Sequence, residues 1–245
     1  MKHKIITMML SLSALGTTAQ AATAEHDTFR YTDEQFADIQ MLRYKVEGFE
    51  RLNLQQKTFI YHLTEAALAG RDIFFDQNGR YNLRIRKMLE TVYQHYKGDR
   101  RSRDFQGLTT YLKRVWFSGG IHHHYGCEKF VPEFSEAWLR TALKEVGYTL
   151  EEEIFPVIFD PKVMPMRVNQ KDGDDLVLTS ACNYYAPGIT QAEAEEFYTQ
   201  RKPTADPRPV MMGLNSRLVR NEFGFLDERV YRIGGLYTTA LERIV

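Results

Sequence analysis

The fold class follows from residues 82–96, NLRIRKMLETVYQHY. Apolar side chains recur there every three or four positions, which puts them on one face of a helix and the charged side chains on the other. The apolar positions are Leu83, Ile85, Met88, Leu89, Val92 and Tyr93. We predict a helix from about Asn82 to Tyr96 that ends before Gly98, because glycine commonly terminates helices.

Similar helical patterns lie on both sides of this stretch, each with its own start and stop residues. A capping residue followed three positions later by glutamine satisfies the free backbone N–H groups at a helix start. Such pairs lie at two predicted helix starts, Thr32 with Gln35 and Asn53 with Gln56. The predicted helices are residues 32–44, 53–70, 102–117 and 135–147, with Phe36, Ile39, Leu42 and Tyr44 on the apolar face of the first.

Beyond Gly147 the helical spacing gives way to proline-containing and mixed segments. The predicted elements are a strand at Leu176–Leu178, a helix over Ala192–Gln200 capped by Thr190 and Glu193, a hairpin of Met211–Arg220 and Glu228–Arg232, and a last helix from Tyr237 to Val245. The sequence stops within that helix without a capping glycine, so we expect a truncated chain. The predicted class is α+β, mainly helical, with a helical segment at 22–147 and a mixed α/β segment at 148–245.

The first 21 residues have the pattern of a signal peptide. Lys2 and Lys4 give a positive start, Ile5–Leu15 is an apolar run, and Ala19-Gln20-Ala21 matches a cleavage site. We predict cleavage after Ala21 and a periplasmic or secreted protein.

Composition narrows the possible partners. The chain is 43% hydrophobic, which is enough to bury a core, and its 32 basic and 32 acidic residues balance to a net charge of zero. Without a basic stripe there is little to attract a phosphate backbone, so nucleic-acid binding is not expected. No segment approaches the roughly 18 apolar residues of a membrane span. We expect a monomer.

The two cysteines leave alternatives open. Cys127 and Cys182 could form a disulfide worth about 4 kcal/mol by loop entropy, or remain two free thiols. Cys182 could also be a nucleophile that takes a proton acceptor from the histidines at 122–124, although a thiol lining a cleft is the commoner arrangement.

Three adjacent histidines, His122, His123 and His124, invite a metal-site interpretation because imidazole is the commonest metal ligand. Neighbouring side chains point in different directions on a helix or strand, so one tetrahedral site does not readily accept all three. We predict that they line a loop wall and that at most one is functional. None of the seven histidines is followed by Glu, so the H-E-x-x-H zinc motif is absent and we assign no catalytic residue and no metal ligand.

The segment from Trp116 to Pro132, WFSGGIHHHYGCEKFVP, ends a helix on two glycines and continues as an aromatic, imidazole-rich turn. Flat rings beside exposed backbone suit a loop that holds an extended peptide. Gly120, Tyr125-Gly126 and Lys129-Phe130-Val131-Pro132 resemble the dipeptidyl peptidase III family of zinc exopeptidases, particularly its bacterial members. Two later blocks are also similar: Tyr184-Tyr185 with Thr190, Glu193 and Ala194, and Asn215-Ser216-Arg217-Leu218.

The resemblance implies a two-lobed hydrolase, with this chain in its lower lobe, that removes dipeptides from the free N-termini of short peptides. It implies a zinc cofactor held by an H-E-x-x-G-H helix and a later Glu, in a lobe C-terminal to these residues. Tyr125 matches the aromatic that borders the pocket for the substrate's N-terminal residue, and its neighbours His124 and Gly126 are the other predicted substrate-binding residues. The triple histidine departs from the family pattern, so no role carries over to His122 or His123.

Two hypotheses therefore remain. In the first, this chain is the substrate-cleft part of a zinc dipeptidyl peptidase; it binds short peptides and is inactive alone. In the second, it is a self-contained exported helical module that uses residues 122–125 to bind a peptide or a metal ion.

Overall fold

The computed structural model describes residues 28–202 and 216–245. Over these ranges the chain forms eight α-helices and two separate two-stranded antiparallel sheets, which confirms the α+β, mainly helical class. The strands are β1 (Thr32–Phe36), β2 (Ile39–Leu42), β3 (Ser216–Arg220) and β4 (Leu226–Val230). The helices are α1 (Leu54–Asn78), α2 (Asn82–His95), α3 (Arg103–Ser118), α4 (Glu136–Glu145), α5 (Ile154–Phe159), α6 (Leu176–Thr179), α7 (Gln191–Thr199) and α8 (Thr238–Ile244).

The helices predicted at 82–96, 102–117 and 135–147 are confirmed as α2, α3 and α4. Ser102 Oγ accepts a hydrogen bond from the backbone N–H of Phe105 at 3.3 Å, and Ser135 Oγ accepts one from Trp138 at 3.2 Å. Each serine satisfies an otherwise free N–H group of the first turn, which is why the helices begin there.

The main hydrophobic core lies between α2, α3, α4 and α5. Its buried residues include Phe75, Ile85, Met88, Leu89, Val92, Leu108, Tyr111, Leu112, Val115, Leu139, Leu143, Ile154, Phe155 and Ile158. The apolar face that predicts α2 is therefore the face that packs. The core also takes in α5, beyond residue 147.

Helix α1 begins as predicted but runs further than predicted. The Asn53 side chain accepts from the Gln56 N–H at 2.9 Å and the Gln56 side chain accepts from the Asn53 N–H at 3.0 Å, a complete capping box. The predicted end at Gly70 is wrong, because α1 continues to Asn78. A Cβ at Gly70 would lie 3.6 Å from Ile244 of α8, an ordinary van der Waals distance, so α8 packs against α1 at this point.

The predicted helix over 32–44 is wrong. Strands β1 and β2 form a hairpin that turns at Ala37, whose φ is +48°, and Asp38. The hairpin is attached to α3: Arg114 Nη2 lies 3.0 Å from Asp38 Oδ1, and the Phe36 ring meets the Phe117 ring edge-on at 6.5 Å. These contacts with a distant helix outweigh the local capping signal.

Residues 148–202 contain short helices where a strand was predicted. The predicted strand at Leu176–Leu178 is wrong: Asp175 Oδ1 accepts from the Leu178 N–H at 2.8 Å and starts the single turn of α6. The predicted helix at 192–200 is confirmed as α7, with Thr190 and Glu193 forming the capping box.

The C-terminal part has a smaller core of its own, formed by Ile189, Ala194, Phe197, Tyr198 and Leu218. The predicted hairpin is confirmed as β3 and β4, which pair from Ser216↔Val230 to Arg220↔Leu226. The predicted last helix is confirmed as α8. Residues 211–215 of the predicted first strand, and the predicted signal peptide, lie outside the described residues. Within the described ranges, no helix has the length and apolar character to cross a membrane.

Candidate functional site

The loop that follows α3 starts from a tightly packed glycine turn. Gly119 ends α3 in the left-handed region with φ +67°, and its carbonyl accepts from Asn78 Nδ2 at 3.1 Å. The buried Asn82 accepts from the Ile121 N–H at 3.3 Å. A Cβ at Gly120 would lie 2.2 Å from Asn82 Nδ2, so glycine is required for α2 to hold the start of this loop.

His122 faces the interior. It is 2% exposed, and its Nε2 lies 2.8 Å from the carbonyl oxygen of Met164, to which it donates. Its Nδ1 has no hydrogen-bond partner in the described structure. Burial lowers the pKa of His122 from 6.5 to about 4. His122 therefore joins the loop to residues 160–167 as a neutral ring.

His123 shapes the turn itself. Its Nδ1 accepts from the backbone N–H groups of Tyr125 at 3.3 Å and Gly126 at 3.0 Å, so the ring substitutes for a missing backbone acceptor. Its carbonyl accepts from the Cys127 N–H at 3.1 Å. The neighbouring carboxylates are Asp38, 4.0 Å from Nε2, and Glu128, 3.9 Å from Nδ1.

His124 and Tyr125 form an aromatic ledge at the tip of the loop. The His124 ring lies 4.9 Å from the Phe117 ring and 4.4 Å from the Tyr125 ring, between centroids. Burial and the neighbouring His123 lower the pKa of His124, which favours a neutral ring. Tyr125 is 85% exposed, so its ring is presented to solvent from a fixed base.

A cavity of about 470 Å³ adjoins this ledge. Its lining residues are Tyr125, Gly126, Cys127, Met166, Val168, Asn169, Gln170 and Lys171. The predicted substrate-binding residues therefore come together, with Tyr125 and Gly126 on the wall and His124 packed behind Tyr125. A Cβ at Gly126 would lie 2.0 Å from Glu128 Oε2, so the glycine leaves room for that carboxylate.

Hydrogen bonds that the sequence did not indicate hold this loop against residues 165–167. Arg167 donates through Nη2 to the His124 carbonyl at 3.0 Å, and its backbone N–H donates to the Cys127 carbonyl at 2.8 Å. Lys129 donates through its backbone to Pro165 at 3.0 Å, which pairs the two segments. These partners are about 40 residues apart in sequence, and only tertiary structure brings them together.

Cys127 and Cys182 are both free thiols. The Arg167 backbone lies between them: its N–H donates to the Cys127 carbonyl and its carbonyl accepts from the Cys182 N–H. Two segments on either side of a third are about 10 Å apart by normal strand spacing, beyond the roughly 7 Å limit for a disulfide. Burial raises the pKa of the Cys182 thiol, which disfavours a nucleophilic thiolate.

A second cavity, of about 490 Å³, lies beside the first. It is lined by Arg80, between α1 and α2, and by residues in the range 162–189, among them Lys162, Asn169, Asp174 and Cys182. Asn169 lines both cavities, so the two are adjacent. The sequence had singled out Cys182 and Tyr185, but no pattern grouped the lining residues into one site, because they come from separate loops.

The implied zinc ion does not fit the residues described. Within 28–202 and 216–245, no group of three His, Cys, Asp or Glu side chains is arranged to hold a metal ion. In the histidine triplet, His122 Nε2 is bonded to Met164 and His123 Nδ1 to two N–H groups.

Comparisons with protein-family models and with curated proteins find no match to this chain. The resemblance to dipeptidyl peptidase III therefore rests on the quoted residues alone, mainly those of the segment 116–132.

Proposed function

We propose that this chain is the substrate-cleft part of a dipeptidyl peptidase III-like zinc metallopeptidase, which releases dipeptides from the N-termini of short peptides. In this proposal the zinc cofactor and the residues that hold it lie outside the chain. The chain is exported to the periplasm or secreted, acts as a monomer, and binds neither nucleic acid nor a membrane.

The observation that carries the proposal is the way the loop presents Tyr125. His123 fixes the backbone at Tyr125 and Gly126, and His124 supports the Tyr125 ring from behind. An exposed aromatic on a fixed base loses little conformational entropy when it contacts a ligand. The adjoining 470 Å³ cavity gives a peptide residue room beside the ring.

Near the loop, Glu128 supplies a carboxylate for a free peptide N-terminus, while the charged residue that lines the adjoining cavity is Lys171. The Glu128 carboxylate lies against Gly126, since a Cβ there would meet Glu128 Oε2 at 2.0 Å. Its side chain is more than half exposed, so it can approach a ligand. A protonated terminal amine would find in Glu128 an acceptor of opposite charge.

Helix α1 supports the idea of a larger enzyme. Phe59 is 62% and Leu63 52% exposed. Other exposed apolar residues of the same half-helix are Leu54, Ile60, Tyr61 and Leu68. Soluble proteins rarely leave so many neighbouring apolar side chains uncovered. We infer that this half of α1 packs against another protein body.

A calorimetric titration tests the proposal. The purified chain is titrated with one hexapeptide in two forms, with a free N-terminus and with an acetylated one. We expect the free form to bind more tightly, and Tyr125→Ala to weaken it about tenfold, the usual effect of losing an exposed aromatic anchor. Tyr44→Ala is the matched control, because Tyr44 is also exposed, at 77%, and lies in a different segment.

The outcome also separates the proposal from the alternative of a self-contained binding module. A module has no requirement for a free N-terminus, so equal binding of both peptide forms would favour it. No effect of Tyr125→Ala on either form would remove the loop as the binding site. The metal-binding version of the module has no candidate ligand group in the described ranges.

A further inference from the structure

The 490 Å³ cavity carries an unbalanced positive charge. Arg80 and Lys162 line it, and within the described structure neither side chain forms an ion pair. The acidic residue in its lining is Asp174, which accepts from Asn169 Nδ2 at 2.9 Å. The lining therefore offers two cations against one carboxylate that is already hydrogen-bonded.

The Arg80 guanidinium is positioned by a neighbouring aromatic ring and has no hydrogen-bond acceptor in the described structure. Its guanidinium lies over the ring of Tyr81, 5.3 Å from the centroid, and its Nε is buried without a hydrogen-bond partner. The ring fixes the guanidinium while the Nη atoms have no acceptor in the described structure. A guanidinium in this state favours a planar, bidentate acceptor such as a carboxylate.

The remaining walls suit a peptide rather than a small inorganic ion. Val177, Leu178, Ala186 and Ile189 are apolar and line the same space. An apolar wall beside a cationic end fits a side chain next to a terminal carboxylate.

This cavity is adjacent to the cavity beside the Tyr125 loop. Asn169 lines both cavities, and it is fixed by hydrogen bonds from Nδ2 to Asp174 and to Thr179 Oγ1, both at 2.9 Å. Its backbone N–H donates to Ser180 Oγ at 2.9 Å. Because both cavities share Asn169, a ligand that fills one can extend into the other.

We propose that this cavity binds the C-terminal carboxylate of a short peptide, through Arg80 and Lys162, while the peptide's other end lies at Tyr125. The inference rests on the proposed function, since it takes the ligand at Tyr125 to be a peptide. It adds the recognition of both peptide ends, which selects short peptides over long chains.

The test compares one hexapeptide as its free acid and as its C-terminal amide, both with a free N-terminus, by calorimetry on the purified chain. We expect the acid to bind about tenfold more tightly, the usual gain of a charge-assisted bidentate pair. Arg80→Gln and Lys162→Gln each reduce binding of the acid and leave the amide unchanged. Lys87→Gln, on the exposed side of α2, is the control for loss of one positive charge.

Arg80→Lys keeps the charge without the planar fork and should retain part of the preference, which guards against a folding defect in Arg80→Gln. Equal affinities for acid and amide in the unmodified chain would overturn the inference. So would variants that weaken both forms alike.

A second probe keeps this result separate from the proposed function. N-acetylleucine has a carboxylate and no free amine, so it addresses the cavity alone, and its binding is followed by amide NMR shifts of Ala181 and Ile189. Shifts with N-acetylleucine but not with its amide would uphold the cavity even if the hexapeptides showed no preference for a free N-terminus. No shifts with either would overturn it.

Discussion

His122 and Tyr125 lie three positions apart and have opposite environments. His122 is 2% exposed and bonded to Met164, whereas Tyr125 is 85% exposed. His123 fixes the turn between them, because its ring nitrogen accepts hydrogen bonds from the backbone N–H groups of Tyr125 and Gly126. One residue of the triplet anchors the loop, the next shapes it, and the third supports the aromatic ring.

The anchoring role of His122 makes the loop sensitive to acid. The folded-state pKa is about 4, below the unfolded value near 6.5, so the neutral ring stabilises the fold fully above pH 6.5. That contribution is lost as pH falls from 6.5 towards 4, because the unfolded chain takes up the proton first. We predict a loss of about 2 to 3 kcal/mol between pH 7.5 and 4.5 from this residue, measured by urea unfolding.

The control variants isolate this histidine. His122→Gln keeps a donor for the Met164 carbonyl but cannot titrate, so its free energy of unfolding should fall less over the same pH range. His62→Gln, on the exposed half of α1, should keep the slope of the unmodified chain. An identical slope in His122→Gln would show that another group causes the pH dependence.

The sequence alone predicts that the three histidine side chains point in different directions, but not which groups they contact. Adjacent side chains must point in different directions, which already argued against one shared metal site. The Met164 carbonyl that holds His122 is 42 residues away, and no local pattern indicates a backbone carbonyl as a partner. Arg167, which holds the loop from below, was unpredictable for the same reason.

At the scale of elements, one lysine joins the loop to α5. Lys129 Nζ donates to the carbonyls of Val157 at 3.1 Å and Val163 at 2.7 Å, and also to that of Asp160. Val157 lies in the last turn of α5 and Asp160 directly follows the helix. Free carbonyls and the helix dipole favour a cation at this end. Burial lowers the pKa of Lys129. The three carbonyl acceptors stabilise its charged ammonium form.

Lys129→Met tests this junction because methionine keeps the apolar stem and removes the donor. We predict a decrease in the free energy of unfolding of about 2 kcal/mol, as expected when a charged donor leaves carbonyls without partners. Lys87→Met, exposed on α2, should change it by less than about 0.5 kcal/mol. If the two variants were equally stable in urea, the three hydrogen bonds would contribute nothing net.

The elements also show where local signals suffice. The capping pairs at Asn53 and Thr190 predicted the starts of α1 and α7, and both are complete capping boxes. The pair at Thr32 failed, because Arg114 and Phe117 of α3 hold residues 34–38 as a hairpin. A capping signal contributes about 1 kcal/mol, which a few tertiary contacts exceed.

At the scale of the molecule, the main core positions the loop that carries the ledge, and the two adjacent cavities lie beside that loop. Helices α2 and α3 pack through residues that the 3.6-residue period predicts, and the loop follows directly from the end of α3. Apart from Arg80, the cavity-lining residues lie at 125–127 and 162–189, outside the stretches that have a helical period. This explains why the sequence predicted the helical core well and only one side of the site.

The proposed function predicts peptide binding without hydrolysis for this chain. The described ranges contain a peptide-sized pair of cavities but no group of metal-ligating side chains, and the sequence has no H-E-x-x-H. Attack on a peptide bond needs a water activated by a metal or a base. We therefore predict that the 245-residue chain, with zinc added, releases no product from a dipeptidyl arylamide above the uncatalysed rate.

Peptide binding is measured on the same sample, so that inactivity is not mistaken for unfolding. Binding that depends on Tyr125, without release of arylamine, would assign this chain the recognition of substrate and leave hydrolysis to residues outside it. Release that a chelator abolishes would contradict the prediction. It would mean that the chain does hold a metal ion, and single substitutions at His122–His124, where the imidazoles are concentrated, would test whether they bind it.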